Sequence, residues 1–187
     1  TYLTKDLILP QIVSCSIALV TLYTPIFKKM TFIKNIVCAF IVSGSVYFAG
    51  RSSMPIGLLK PPRLLMEATR FIFFSSLMLE ILFDIRDYHG DKYNHIQTLP
   101  VRIGKQKCRW LVLAIYSFNV FLVALSNNIK SERMIGGKLF FLGSTIPIFL
   151  EMIRMIHFKS DDTKRVSKFT VYTLLAYMLH TRTMVLP

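Results

Sequence analysis

The sequence predicts an all-α fold, a polytopic transmembrane helical bundle of about six membrane helices, and three observations predict it. Of its 187 residues 53% are hydrophobic and the mean hydropathy is +0.49, more apolar than a soluble domain with a polar shell. Positions 7–27 carry no charge over 21 residues and positions 110–129 none over 20. At about 1.5 Å rise per residue, runs of that length match a hydrocarbon core of about 30 Å. The 23 Lys and Arg lie between the apolar runs rather than gathered on one polar region, which suits loops that face lipid headgroups and not a nucleic-acid surface.

Taken in order, the apolar segments are 7–27, 35–50, 64–83, 110–129, 139–156 and 169–180. In the first, Pro10 falls in the opening turns, where its missing N–H costs little, and Pro25 bends or ends the helix before Lys28 and Lys29. The connection 51–63 holds three prolines and one glycine and reads as an ordered turn. The third segment contains Glu67, Arg70 and Glu80, and the fifth contains Glu151 and Arg154; charges inside a span face a cavity or the bundle interior. Glu151 and Arg154 are expected to pair with each other or with Arg70 or Glu67. Pro147, inside the fifth, is tolerated better than in a soluble helix. No repeat or linker divides the chain, so residues 1–187 read as a single membrane domain.

Six spans place alternate loops on opposite faces. The loops after the first, third and fifth collect 13 Lys and Arg, and the other face collects 8. The positive-inside tendency puts the more basic face on the cytosolic side, or the matrix or stromal side of an organelle inner or thylakoid membrane. Cys15, Cys38 and Cys108 have neither CxxC pairing nor metal-ligand spacing. The chain opens on Thr1, and the expectation is a start that is processed or incompletely represented, without a secretory leader.

The chemistry concentrates after the third span. Four of the ten acidic residues of the chain, Glu80, Asp84, Asp87 and Asp91, fall within twelve positions. On a helix they lie within about 60° of one another on one face. Like charges at that spacing repel unless a cation neutralises them. Asp84 and Asp87, at the expected end of the helix, would also oppose the negative pole of its macrodipole. Mg²⁺ reverses the balance, since it takes one or two carboxylates and completes its octahedron with water and phosphate oxygens. The alternative is a solvated Asp loop balanced by Arg86, Lys92 and the basic run that follows. Lys92, Arg102, Lys105 and Lys107 are expected in one loop with Gly90 and Gly104, offering cations and backbone N–H groups to a phosphate. His89 and His95 are expected in solvent, and His157 and His180 at span ends as interfacial polar residues.

The run Asp84-Ile-Arg-Asp87-Tyr-His-Gly-Asp91-Lys, followed by Thr98-Leu-Pro-Val-Arg-Ile-Gly104, resembles the second aspartate motif, DxxDxxxD, of UbiA-type intramembrane prenyltransferases. Tyr23-Thr-Pro-Ile-Phe-Lys28-Lys29 and Phe32-Ile-Lys34-Asn35 resemble that family's segment between its fourth and fifth helices. Glu80, four residues before Asp84, is similar to the branch that prenylates glycerol-phosphate lipids. The resemblance implies nine helices around a cavity, of which the six spans here would be the last six. It implies Asp84, Asp87 and Asp91 as catalytic ligands of Mg²⁺ on a polyprenyl diphosphate, with Lys28, Lys92, Arg102 and Glu80 binding substrate. The transferred group would pass to a lipid-soluble acceptor.

The family's first motif, NDxxDxxxD, has no counterpart in these residues; Asp6 stands alone and Asp161-Asp162 have no partner at helical spacing. Two readings of different class follow. One is the prenyltransferase; the other is a catalytically silent relative serving as a lipid- or pigment-binding scaffold in a larger membrane assembly.

Overall fold

The computed structural model describes residues 8–23, 26, 31–54, 62–125, 132–160 and 162–185. Its helices in chain order are α1 (Ile8–Tyr23), α2 (Ile33–Ser52), α3 (Arg63–Tyr93), α4 (Leu99–Ile103), α5 (Lys105–Ala124), α6 (Glu132–His157) and α7 (Thr163–Val185). Every regular element among the described residues is helical, so the all-α expectation holds. Apart from the short α4, the helices answer the six expected spans one for one. Three of them, α2, α5 and Ile135–His157 within α6, are long and apolar enough to cross a bilayer on composition alone, with mean hydropathies of 1.5, 1.4 and 1.7. In α1 the apolar stretch Val13–Tyr23 is shorter, while α3 and α7 are long but carry more charge.

The central element is α3, which packs against α2, α4, α5 and α7. Its 31 residues span about 46 Å, half again the hydrocarbon thickness. With 64–83 in the membrane, 84–93 extend about 15 Å beyond it. The expected Asp-bearing loop is therefore corrected: Asp84, Asp87 and Asp91 ride on the outer turns of a continuous helix. Hydropathy falls where the chain leaves hydrocarbon, but no proline interrupts the backbone there, and the hydrogen bonding continues. The macrodipole penalty consequently falls on Asp91, in the last turn, and not on Asp84.

The end of α3 is a Schellman closure. The Ile96 N–H donates to the Asp91 carbonyl at 2.8 Å and the His95 N–H to the Lys92 carbonyl at 3.3 Å, with His95 left-handed at φ 55°. The Asn94 side chain also donates to the Gly90 carbonyl, at 2.9 Å. Four residues on, α4 opens with a proline in its first turn and ends at Gly104, whose φ of +90° suits glycine and lets α5 start at once. The expected loop cations Lys105 and Lys107 therefore stand in the first turn of α5. Likewise α7 begins at Thr163, six positions before the apolar run that announced it.

One apolar cluster lies in the half of the bundle nearest the carboxylates, where Met78, Ile81, Leu82 and Ile85 of α3 meet Ala39, Cys108, Val112, Tyr116, Ile148 and Met152. A second, aromatic cluster lies toward the other end, with Phe71 stacked on Tyr177 at 3.9 Å between centroids and Phe141 edge-on to both. Against expectation, His180 belongs to that interior: it is 1% exposed and stacks on Phe141 at 6.1 Å. Its register on α7 turns it inward, which its place near a span end could not reveal. His157 is exposed at the end of α6, as expected.

Polar side chains tie the helices together. Asn119 of α5, fully buried, donates to the Phe71 carbonyl at 3.1 Å and to Ser75 Oγ at 3.2 Å on α3. Arg109 is buried too, although it was counted among the loop cations. It donates to Gln106 Oε1 at 2.8 Å and to the Lys159 carbonyl at 2.9 Å, while Gln106 reaches the Ile156 carbonyl. These bonds satisfy carbonyls at the end of α6 and clamp it to the start of α5. Glu151 pairs with Arg154 at 3.7 Å and with Arg165 at 3.9 Å, and Glu67 pairs with Arg63 at 2.8 Å. Replacing Asn119 by Ala is expected to lower stability in detergent by about 1 to 2 kcal/mol. A thermal-unfolding midpoint unchanged from wild type would show that this tie contributes nothing.

Candidate functional site

The carboxylate face of α3 meets the start of α2. There Lys34 Nζ donates to Asp84 Oδ1 at 2.6 Å, and Asn35 Nδ2 donates to Asp84 Oδ2 at 2.9 Å. Asp84 is 6% exposed and Asn35 is 0% exposed. Both oxygens of one buried carboxylate are thus held by two consecutive residues of the neighbouring helix. The cation that the stripe requires is a lysine of the chain itself. Lys34 also interacts electrostatically with Glu80 and Asp87, so one ammonium serves three rungs of the ladder.

The outer rungs are more open. Asp87 takes a two-point contact from Arg86, Nε to Oδ1 at 2.8 Å and Nη2 to Oδ2 at 3.0 Å, both side chains being about half exposed. That hydrogen-bonded pairing holds the Asp87 carboxyl below its ordinary range, so it stays ionised well into acid. Asp91 is partly exposed and within electrostatic reach of Asp84. Glu80, one turn deeper, is half-buried and near Tyr23 of α1.

Cations gather around the outer end of α3. Lys92 and Lys105 both approach the Tyr88 ring, at 5.9 and 4.9 Å from its centroid, and Lys105 Nζ lies 3.4 Å from His89 Nε2. Arg102 of α4 reaches Thr31 Oγ1 at 3.4 Å, which brings the approach to α2 to the same face. Of the residues expected to bind substrate, Glu80 lies one turn below Asp84 on α3, Lys92 lies over the Tyr88 ring near the outer end of that helix and Arg102 reaches Thr31 beside the start of α2; Lys28 lies outside the described residues, as do Lys29, Asp6 and Asp161. Sequence reasoning passed over Lys34 and Asn35 as site residues. Their signal was a lysine at the mouth of an apolar span followed at once by an amide inside it.

The donor set is entirely hard oxygen, and Asn35 Oδ1 is a buried acceptor without a hydrogen-bond partner beside Asp84. Among the described residues no three His, Cys, Asp or Glu side chains are grouped to enclose a metal. Glu80 and Asp91 stand about 16 Å apart along the helix, so at most two neighbouring rungs can share one ion. This fits Mg²⁺ held by one or two carboxylates and completed by a phosphorylated ligand, and not a closed protein cage.

On the far half of α3 an apolar recess of about 390 Å³ opens between α1, α2 and α3, lined by Cys15, Leu19, Phe40, Ile41, Tyr47 and Thr69 among others. Thr69 precedes Asp84 by about 22 Å of helix axis. The molecule thus offers a charged head site and, deeper in the bilayer, an apolar space.

Lys34→Met leaves Asp84 buried without its counter-ion. The expected loss is about 1 to 3 kcal/mol in the ligand-free protein, below the range for a fully buried pair because the Lys34 side chain is 17% exposed. Arg86→Ala breaks an exposed pair and is expected to cost less than about 1 kcal/mol. Unfolding midpoints measured side by side decide whether the two pairs differ as stated.

The sequence model described as the UbiA prenyltransferase family matches residues 7–180. The chain is similar to a digeranylgeranylglyceryl phosphate synthase of Saccharolobus solfataricus, 28% identical over 170 residues that cover 88% of this chain and 57% of that protein. It is also similar to a digeranylgeranylglyceryl phosphate synthase of Sulfolobus acidocaldarius, 32% identical over 101 residues, 54% of this chain and 34% of that protein. These matches span little more than half of the first relative and a third of the second. No solved structure matches the chain significantly. With the family match running through all six long helices and the carboxylate ladder, this chain belongs to the UbiA prenyltransferase family.

Proposed function

We propose that the chain supplies the diphosphate-holding half of an intramembrane prenyltransferase that joins a polyprenyl group to a lipid-soluble acceptor. Asp84, Asp87 and Asp91 are its Mg²⁺ ligands, taken two at a time, and its helices correspond to the last six of the nine-helix family fold. The observation that carries the reading is the one-sided carboxylate ladder at the membrane boundary, with Lys34 on Asp84, Lys92 and Lys105 at Tyr88 of the same helix end and an apolar recess farther along α3. A prenyl diphosphate has that polarity: a multiply charged head on a hydrocarbon chain. The names of the two relatives favour a phosphate-bearing glyceryl lipid as the acceptor, and Glu80 would then face the acceptor side of the head site. The basic face is assigned to the cytosolic, matrix or stromal side.

When bound, Mg²⁺ would neutralise diphosphate charge and make it a better leaving group. The remaining work falls to residues of the chain. Lys92, Arg102 and Lys105 attract the diphosphate and stabilise the negative charge that builds on it as the allylic carbon–oxygen bond breaks. The apolar recess would hold the far part of the prenyl chain, and the acceptor oxygen attacks the allylic carbon as the carbon–oxygen bond to diphosphate breaks, its proton passing to the departing diphosphate.

The test is turnover by the full-length protein in lipid vesicles supplied with a prenyl diphosphate, a prenylglyceryl phosphate and Mg²⁺. Product formation is expected to stop on chelation. Asp84→Asn and Asp87→Asn are each expected to lower turnover by at least about 100-fold while leaving membrane insertion intact. Full activity in both variants would sink the metal assignment, and wild-type protein that binds both lipids without turnover would favour the scaffold.

A further inference from the structure

Resting on that metal reading, a second property follows from who occupies Asp84 in the ligand-free state. Oδ1 is engaged by Lys34 Nζ at 2.6 Å and Oδ2 by Asn35 Nδ2 at 2.9 Å, at a residue only 6% exposed. A divalent ion on that carboxylate needs one of these oxygens at about 2.1 Å. The Asn35 amide can stay, being neutral. The ammonium cannot, because a monocation and a dication on one oxygen would stand within about 4 Å in a region of reduced dielectric, where their repulsion is strong.

We propose that Lys34 is an exchangeable counter-ion. It caps Asp84 in the empty site, yields that oxygen to the arriving Mg²⁺, and moves to the diphosphate that accompanies the ion.

Three features support the exchange. Lys34 sits on the first turn of α2 with its side chain 17% exposed, and its four-carbon stem allows the head to swing without moving the helix. Its field already reaches Glu80 and Asp87 as well as Asp84, so it stands amid the ladder where an incoming head group must lie. Asn35, fully buried, keeps hold of Oδ2 and so preserves the carboxylate's orientation when Lys34 departs; it is a positioning residue, not a catalytic one. The arrangement balances charge in both states. Without ligand, an internal cation prevents four neighbouring carboxylates from repelling one another. With ligand, Mg²⁺ takes over that task and the lysine is released to a new anion. Bare metal leaves the displaced Lys34 only the neighbouring Glu80 and the Arg86-paired Asp87, whereas metal arriving with diphosphate brings the lysine a multiply charged partner. The site therefore favours the two together over the ion alone.

The measurement uses wild-type full-length protein in vesicles, first stripped of metal. A brief pulse of an amine-acylating reagent is followed by quantifying modification of Lys34 by peptide mass spectrometry, with exposed Lys164 as internal reference. Mg²⁺ alone is expected to raise Lys34 acylation several-fold, and Mg²⁺ with inorganic pyrophosphate to bring it back down. Mn²⁺ binding, followed by electron paramagnetic resonance, supplies the second readout. Lys34→Met is expected to bind the ion about tenfold or more tightly and pyrophosphate more weakly, whereas Lys92→Met, removing an exposed cation of the same ladder, changes ion affinity far less. Ion binding that requires Asp84, with Lys34 acylation unmoved or lowered by Mg²⁺, overturns the exchange and leaves the metal reading standing. Ion binding unaffected by Asp84→Asn overturns both.

Discussion

A buried carboxylate at the edge of a membrane cannot stand alone, and the contact of Asp84 with Lys34 and Asn35 answers that constraint. Transfer of an unpaired charge out of water costs several kcal/mol or more. The ammonium at 2.6 Å and the amide at 2.9 Å offset part of the cost of enclosing the Asp84 carboxylate. The same contact fixes α2 against α3 at the polar end, directly above the cluster in which Ala39 of α2 is fully buried among Met78, Ile81 and Leu82. Architecture and chemistry meet at one residue.

Much of this was legible in the residues themselves. Helical spacing of Glu80, Asp84, Asp87 and Asp91 announced a one-sided ladder, and its need for a cation followed from charge alone. Apolar runs located the six long helices, and the DxxDxxxD resemblance located the family. What could not be read is instructive. Apolar runs mark only the part of a helix that lies in hydrocarbon, so the outer turns of α3 and the first turns of α5 and α7 were taken for loop. Arg109 looked like one more surface cation; its burial depends on carbonyls at the end of α6, fifty positions away. Lys34 was hidden in the same way, since the contact that gives it meaning lies fifty positions downstream. Composition shows that a cation must come, but not which one.

The two ion pairs of the ladder also show how burial divides similar chemistry into different roles. Arg86 grips Asp87 with better two-point geometry than Lys34 has on Asp84, yet it lies in solvent, where such a pair contributes little. Lys34 makes a single contact but in an enclosed place. On the proposed reading, the inner rung governs selectivity for the ligand while the outer rungs attract it.

The length of α3 has a consequence for what can reach the site. Because the helix is unbroken from the aromatic cluster to the Schellman turn, it acts as a depth gauge: each rung sits at a set height above the hydrocarbon. An amphiphile whose head rests at the level of Asp84 must send its tail inward along the same rod, past the first apolar cluster and toward the recess near Thr69. On the proposed reading, a molecule with the same head but no tail would keep the charged contacts and lose this anchor. On that reading, discrimination by immersion depth is built into the backbone, before any side chain has recognised a functional group.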